Sequence, residues 1–251
     1  MTRREDATIL GTQQMTGDWQ QKPEPPQFGQ NPVVTWFSEF EERIASDFQR
    51  RTGLEYKKAI ARIIEAAEPF PGMQVLDVPT GTGVIARQFV GKVGEKGRII
   101  GIDETPEKLE QARLAAQSAR VSMRIELKAM PIEKLIFEDG CIDLITSVMA
   151  FHRVDAGKFL IEACRVLRPG GRLLIADELA PDVPKGALRE TMRRSWFRFV
   201  KRDQQEADAQ FHTTAEMMRM LQEAGFNQII FRTLRQRSRN ERSFALIKAV
   251  K

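Results

Sequence analysis

Val75-Leu76-Asp77-Val78-Pro79-Thr80-Gly81-Thr82-Gly83-Val84-Ile85-Ala86 joins a short apolar run, an acid and a glycine loop to the start of a helical pattern. Met73 to Val78 has the character of a buried strand, and Val84 to Val90 resumes helical spacing. The loop therefore falls where backbone N–H groups gather at a helix N-terminus, as in a nucleotide-type pocket. Gly81 and Gly83 carry no Cβ and let a ligand approach the main chain. The run Gly81 to Ala86 also satisfies the G-x-G-x-x-G/A dinucleotide fingerprint, a weak signal on its own. Asp77 adds a discriminating charge, because a carboxylate at the strand end suits an incoming cation and repels a pyrophosphate. Arg98-Ile99-Ile100-Gly101-Ile102-Asp103 reads as a second apolar strand, whose terminal acid is placed to accept hydrogen bonds from ribose hydroxyls.

Strands and helices alternate downstream. Thr105-Pro106-Glu107 opens a helix with Thr105 as N-cap, proline at the first position and acid in the first turn, and the helix runs to about Ala119. Val121 to Leu127 alternates like a strand, Ile142 to Val148 reads as a buried strand, and Ala156 to Leu167 reads as a helix closed by Pro169-Gly170-Gly171. Thr213-Thr214-Ala215-Glu216 has the form of a capping box before a helix that reaches Ala224-Gly225. Phe226 to Leu234 and Ser243 to Val250 are strand-like and should pair as a hairpin. The fold class expected is α/β, a doubly wound, mostly parallel sheet with its ligand crevice outside the carboxyl ends of the strands.

Taken in order, these segments resemble the class I S-adenosylmethionine-dependent methyltransferases from about residue 55 to residue 251. The loop after Asp77 is similar to the first motif of that family and Gly101-Ile102-Asp103 to its second-strand acid. Glu138-Asp139-Gly140-Cys141-Ile142-Asp143-Leu144-Ile145 resembles the entry to the fourth strand. Arg165-Val166-Leu167-Arg168-Pro169-Gly170-Gly171-Arg172-Leu173-Leu174-Ile175 resembles the helix, turn and fifth strand. The branch most similar is the small-molecule group that includes the quinone-biosynthesis C-methyltransferases. The resemblance implies a Rossmann-like sheet of about seven strands with the last antiparallel, and S-adenosyl-L-methionine as cofactor. It also implies a small, aromatic or prenylated acceptor, and a cofactor site made by Asp77, Thr80, Gly81, Gly83, Asp103, Glu104, Met130, Pro131 and Ser147.

The chain departs from the pattern at four places. Pro79 stands where the family places the first glycine of its loop, and proline has no N–H to donate. Pro131 stands where an acid toward the adenine amino group is expected. Ala176-Asp177-Glu178-Leu179-Ala180 lacks the acid-x-Ser/Thr ending of the quinone enzymes, and the N-terminal part lacks their tyrosine-rich opening. A catalytically weak or non-enzymatic accessory subunit with the same fold stays open beside the methyltransferase reading, with a nicotinamide-dependent oxidoreductase third.

A chain of 251 residues, 42% hydrophobic, can bury one sizeable core. Residues 1–32, with Pro23, Pro25, Pro26 and Pro32, are expected to be a mobile arm. The rest, 33–251, reads as one domain with N-terminal helices over 33–68, which either cap the pocket or cover one edge of the sheet. No signal-peptide order and no bilayer-length apolar run is present, so the compartment expected is the cytoplasm. Cys141 and Cys164 form neither a metal motif nor a disulfide framework, and no metal site is expected.

The net charge of +5 is concentrated in Lys185 to Arg202, which holds seven Lys or Arg and one acid, interleaved with Leu188, Met192, Trp196, Phe197 and Phe199. This reads as a basic amphipathic helix in a lid insertion over 183–212, suited to an acidic or lipid-like substrate, an anionic membrane surface, a protein partner or, ranked lower, RNA, or else as a solvated face over ordinary packing. Nucleic-acid base methylation is not expected, because Thr146-Ser147-Val148-Met149 lacks the Asn/Asp-Pro-Pro-aromatic motif. The partner expected is a small-molecule substrate, and association with a second copy stays open.

Methyl transfer from a sulfonium needs in-line positioning and, for a carbon or hydroxyl acceptor, removal of a proton. His152, just past the fourth strand, is the catalytic candidate, with a structural residue at the next helix start as the other reading. His212 reads as a surface or capping residue and Tyr56 as a packed helix residue within reach of the site. Asp177 and Glu178 are further candidates, or else part of an exposed turn.

Overall fold

The central strands are apolar on both sides, as parallel strands covered by helices on both faces must be. Val75 and Leu144 point to one core, and Leu76 and Ile145 point to the other. In the computed structural model, residues 32–181, 208–235 and 241–251 are described, with the main chain alone at 32–38 and 40. The expected mobile arm, apart from Pro32, lies outside the described residues. So do the basic stretch Lys185 to Arg202 and all of the lid insertion except 208–212.

The strands β1 (Gln74–Asp77), β2 (Arg98–Asp103), β3 (Ile125–Ala129), β4 (Ile142–Val148), β5 (Leu167–Leu179), β6 (Asn227–Arg235) and β7 (Ser243–Val250) form one sheet in the order 3-2-1-4-5-7-6. The β2–β3, β1–β2, β1–β4 and β4–β5 pairs are parallel, whereas β7 runs antiparallel to both β5 and β6. The strand order reverses between β1 and β4, which places a crevice at their carboxyl ends.

Helices α1 (Pro32–Thr52), α2 (Tyr56–Ala66), α3 (Val84–Val93) and α4 (Pro106–Ser118) cover one face; α5 (Ala156–Val166) and α6 (Thr214–Glu223) cover the other. Phe89 of α3 and Phe159 of α5 are completely buried against opposite faces, each stabilising the fold by roughly 1.5–3 kcal/mol through area removed from water. The N-terminal helices cover a face of the sheet and not an edge. The Phe48 ring of α1 meets the rings of Tyr56 and of Phe244 on β7 edge-on, each at 5.3 Å. No helix among the described residues is long and apolar enough to cross a membrane.

The capping box forms as read, with Glu216 N–H donating to Thr213 Oγ1 at 3.2 Å and Thr213 N–H to Glu216 Oε2 at 2.8 Å. Three local readings are corrected. Val121 to Arg124 is not strand: Val121 N–H bonds the Ala116 carbonyl and Arg124 N–H the Val121 carbonyl, making a 3-10 turn that leaves Met123 in solvent. Leu167 belongs to β5, opposite Ile142, and Pro169-Gly170-Gly171 is a bulge inside that strand. The bulge is closed by the C-terminal residue, since Gly170 N–H donates to Lys251 O and Lys251 N–H to Gly171 O, both at 3.0 Å. Thr105 occupies the N-cap of α4 without a side-chain cap, its own N–H being drawn to Asp103 instead.

Candidate functional site

The carboxyl ends of β1 and β2 carry buried acids that hold the glycine loop from two sides. Asp77 ends β1; its Oδ2 accepts the Thr80 hydroxyl at 2.7 Å and its Oδ1 the Thr146 hydroxyl of β4 at 2.8 Å. Burial pushes its pKa up to about 6, against the pull of the two hydroxyl donors. Asp103 ends β2, and its Oδ2 accepts Gly81 N–H at 3.0 Å while its Oδ1 accepts Thr105 N–H at 2.9 Å. Thr80 N–H donates to the Ile102 carbonyl at 2.7 Å, so the turn is strapped between two strands before any ligand arrives. A Cβ at Gly101 would lie 2.8 Å from Thr80 Oγ1, and its absence is what lets Thr80 nest there.

At Gly81 the backbone has φ +54°, and among the described residues other than its chain neighbours no atom lies within 4 Å of the position a Cβ would take, so the turn presents bare main chain on that side. Gly83 caps α3 at φ +70°, close enough to α4 that a Cβ would stand 3.2 Å from that of Ala112. The Val78–Pro79 bond is cis. Behind the loop, the Arg87 guanidinium donates to the Thr82 carbonyl at 2.8 Å and pairs with Glu41 of α1. Sequence reasoning missed Arg87, which carries only the signal of a charge on the buried side of α3.

The other expected cofactor positions divide. Glu104 is exposed at the rim, its Oε1 accepting Ile132 N–H at 3.2 Å, while Met130 is buried and Pro131 exposed beside it. Ser147 is wholly buried, and its side chain alternates to the face of β4 opposite Thr146. Its Oγ has no hydrogen-bond partner among the described residues.

A second cluster lies at the ends of β4 and β5. His152 sits in a 3-10 turn (Phe151–Arg153), and its Nδ1 lies 2.8 and 2.9 Å from the two carboxylate oxygens of Asp177. Asp177 also accepts the backbone N–H of His152 at 3.0 Å and of Glu178 at 2.7 Å. Burial works against its ionisation, but the facing imidazole and these N–H donors outweigh it and hold the carboxyl below its usual range. The exposed-turn reading of Asp177 and Glu178 is overturned, the two being 3% and 9% exposed.

The imidazole stacks on Phe211, with centroids 4.8 Å apart and planes 13° from parallel. The Arg242 guanidinium covers that ring at 3.6 Å and lies 3.5 Å from Glu178, which pairs with Arg51 of α1 at 2.7 Å. His212 is not a surface residue; it packs half-buried against Phe151, and burial lowers its pKa. Tyr56 packs as expected, with its hydroxyl pushed up to about 12, chiefly by burial. A cleft of about 290 Å³ lined by His152, Arg153, Val154, Asp155, Asp208 and Gln210 opens beside this cluster. Phe211 and Arg51 were not foreseen, since nothing in their local sequence points to β5. Among the described residues no group of three or more His, Cys, Asp or Glu side chains is placed to hold a metal ion.

Comparison with known proteins meets this geometry from outside. The model of a family described as a methyltransferase domain matches residues 69–225. The ubiquinone/menaquinone biosynthesis C-methyltransferase UbiE of Geobacter sp. strain M21 is 38% identical over 112 residues, 44% of this chain and 48% of that protein. The chain thus spans about half the length of the curated relatives it matches. Among solved structures, a SAM-dependent methyltransferase from Aquifex aeolicus superposes with a TM-score of 0.59 at 21% identity, over 85% of this chain and 97% of that one. The [4+2]-cyclase SpnF superposes with a TM-score of 0.64 at 16% identity, over 78% and 82%. At these identities the superpositions establish the fold alone, and a cyclase among them shows that this fold carries more than one chemistry.

Proposed function

The chain belongs to the methyltransferase-domain family, and from that membership we propose that it transfers a methyl group from S-adenosylmethionine to a small-molecule acceptor. The observation that carries the reading is the Gly81 turn, bare on its outer side among the described residues and held between Asp77 and Asp103. Its residues fit the nucleotide. Asp103 keeps a lone pair on each oxygen for ribose hydroxyls after accepting two N–H groups, and the negative charge of Asp77 suits the amino-acid cation. Thr80 shapes the turn, while Gly81 and Gly83 give main-chain access. Glu104, Met130 and Pro131 are the residues we assign to the base, and Ser147, buried and with no partner for its Oγ among the described residues, completes the set from behind the strand end. Bound there, S-adenosylmethionine supplies an electrophilic methyl group.

For the acceptor we favour a small aromatic or prenylated molecule. The names of two similar proteins support that class, one a quinone-biosynthesis C-methyltransferase and the other a geranyl diphosphate C-methyltransferase from Streptomyces coelicolor. His152 is the candidate catalytic base. The basic stretch Lys185 to Arg202 offers a contact for an anionic acceptor or membrane surface. Calorimetry with S-adenosylhomocysteine tests the reading: saturable binding is expected, and no heat at high micromolar nucleotide in folded protein would remove it.

A further inference from the structure

We propose that the open edge of β3 is an interface with a second copy of this chain. The two β3 strands pair antiparallel about a two-fold axis at Leu127 and join the two sheets into one. The inference depends neither on methyl transfer nor on the nucleotide.

The sheet ends at β3 on one side and at β6 on the other, with no further strand beside either among the described residues. Met130 N–H donates to the Asp103 carbonyl at the end of β2 at 3.4 Å. By the two-residue alternation of a strand, the N–H and C=O groups of Glu126 and Lys128 then face β2 as well. Those of Ile125, Leu127 and Ala129 face outward along the edge, as a row that another strand can pair with. An antiparallel copy does so in full: Leu127 meets Leu127, and each Ile125 meets an Ala129, all as hydrogen-bonded pairs.

The side chains fit the same register. Ile125-Glu126-Leu127-Lys128-Ala129, laid antiparallel on itself about Leu127, sets each Glu126 directly opposite a Lys128. Both lie on the face of the sheet away from α4, beside Ile100 and Ile102 of β2. Residues two apart on one strand are separated by about 6.6 Å along it, whereas directly opposite residues have Cβ atoms about 4.5–5.5 Å apart. Lys128 Nζ already reaches Glu126 Oε1 of its own strand at 2.8 Å, and the second copy brings another acid within shorter reach. The other edge has no such match. β6 carries Arg232 and Arg235 and no acid, so pairing it with itself gathers cations alone.

The layer above β3 is complementary too. A groove of about 430 Å³ lies between α4 and β3, walled by Leu109 and Ala116 of the helix and by Ile125, Leu127 and Ala129 of the strand, with no β2 residue in its lining. It therefore lies on the outer side of the strand, and the two-fold axis sets a second apolar groove of the same kind against it. Its rim is electrically balanced, Arg113 Nε donating to Glu110 Oε2 at 2.8 Å. At the entry to the strand Met123 is 95% exposed, and the same axis brings it beside Pro131, just past the end of β3 in the second copy. Two strands alone associate only marginally in water, and the apolar area covered in the paired grooves adds the stabilisation that the strands lack.

The test uses the whole chain and two exposed charge reversals, E126K and K128E. Wild type is expected to sediment at twice its 28.6 kDa mass at about 100 μM and to dissociate on dilution. Each variant sets like charges opposite one another in both symmetry-related pairs and should associate about tenfold more weakly or worse. An equimolar mixture of the two variants restores opposite charges in both pairs and should recover the dimer. Amide exchange in wild type should slow at Ile125, Leu127 and Ala129 as concentration rises and stay unchanged in β6. A wild type that sediments at 28.6 kDa throughout would overturn the proposal. So would a dimer in which both variants associate as tightly as wild type and the three β3 amides exchange no more slowly. If circular dichroism shows either variant unfolded, the exchange comparison in wild type decides by itself: concentration-dependent protection of the β3 amides upholds the interface, and its absence ends it.

Discussion

Asp77 and Asp103 stand on adjacent strands and are equally buried, yet their surroundings differ in kind: Asp77 faces two hydroxyl donors, while Asp103 faces two backbone N–H groups. Burial raises the Asp77 carboxyl to about 6, so it is ionised at neutral pH and gains a proton as the pH falls through that value. Affinity for S-adenosylhomocysteine is expected to weaken below pH 6 by up to about tenfold per unit, and D77N should bind weakly with no such step. The same shift has a sign for stability. The unfolded carboxyl ionises from 3.8 and the folded one only near 6, so this group makes the fold less stable as pH rises across that window. Urea titrations of wild type and D77N between pH 4 and 7 should show wild type losing ground relative to the variant. Gly81→Ala meets no atom of the described residues beyond its chain neighbours, so its cost to the fold is that of a left-handed alanine, about 1–2 kcal/mol in melting experiments. Its larger effect is expected on nucleotide affinity, where the new methyl occupies the open side of the turn.

Helix α1 shows how an element recognised from its spacing acquires a role from what it docks against. The apolar periodicity from Trp36 to Phe48 indicates a helix, and a helix forms over Pro32–Thr52. That its Glu41 would meet Arg87, which in turn holds the Thr82 carbonyl of the glycine loop, follows only from the packing of α1 beside α3. Arg87→Met breaks both contacts while keeping an apolar stem. The expected cost is about 1 kcal/mol, since a half-buried carbonyl loses its donor. Amide exchange should speed up in α1 and in residues 80–83, with S-adenosylhomocysteine bound several-fold more weakly. Unchanged exchange in α1 would show that its remaining contacts, those of Phe48 and the Arg51–Glu178 pair among them, hold it.

The strand last in sequence is interior to the sheet. β7 lies between β5 and β6, with Ile247 in one core and Leu246 in the other, and Lys251 closes the β5 bulge. Ile247→Ala should therefore cost about 2–5 kcal/mol in urea unfolding, as much as Ile145→Ala in the central strand β4. A chain ending at residue 242 should not fold cooperatively, because removing β7 separates β6 from the sheet and opens both cores.

Local chemistry in the chain was enough to establish the alternation of strands and helices, the parallel sheet, the glycine turn with an acid before and after it, and the capping box of α6. Each depends on neighbours within a few positions, whose spacing and steric demands act before any tertiary contact forms. The partners of Asp77 on β4, of His152 on β5 and of Glu41 on α3 were beyond such reasoning. So were the 3-10 turn after α4 and the bulge in β5. Those contacts join residues dozens of positions apart, or depend on where a distant chain end comes to rest, and only the packing of two helical layers on one twisted sheet brings them within hydrogen-bonding distance.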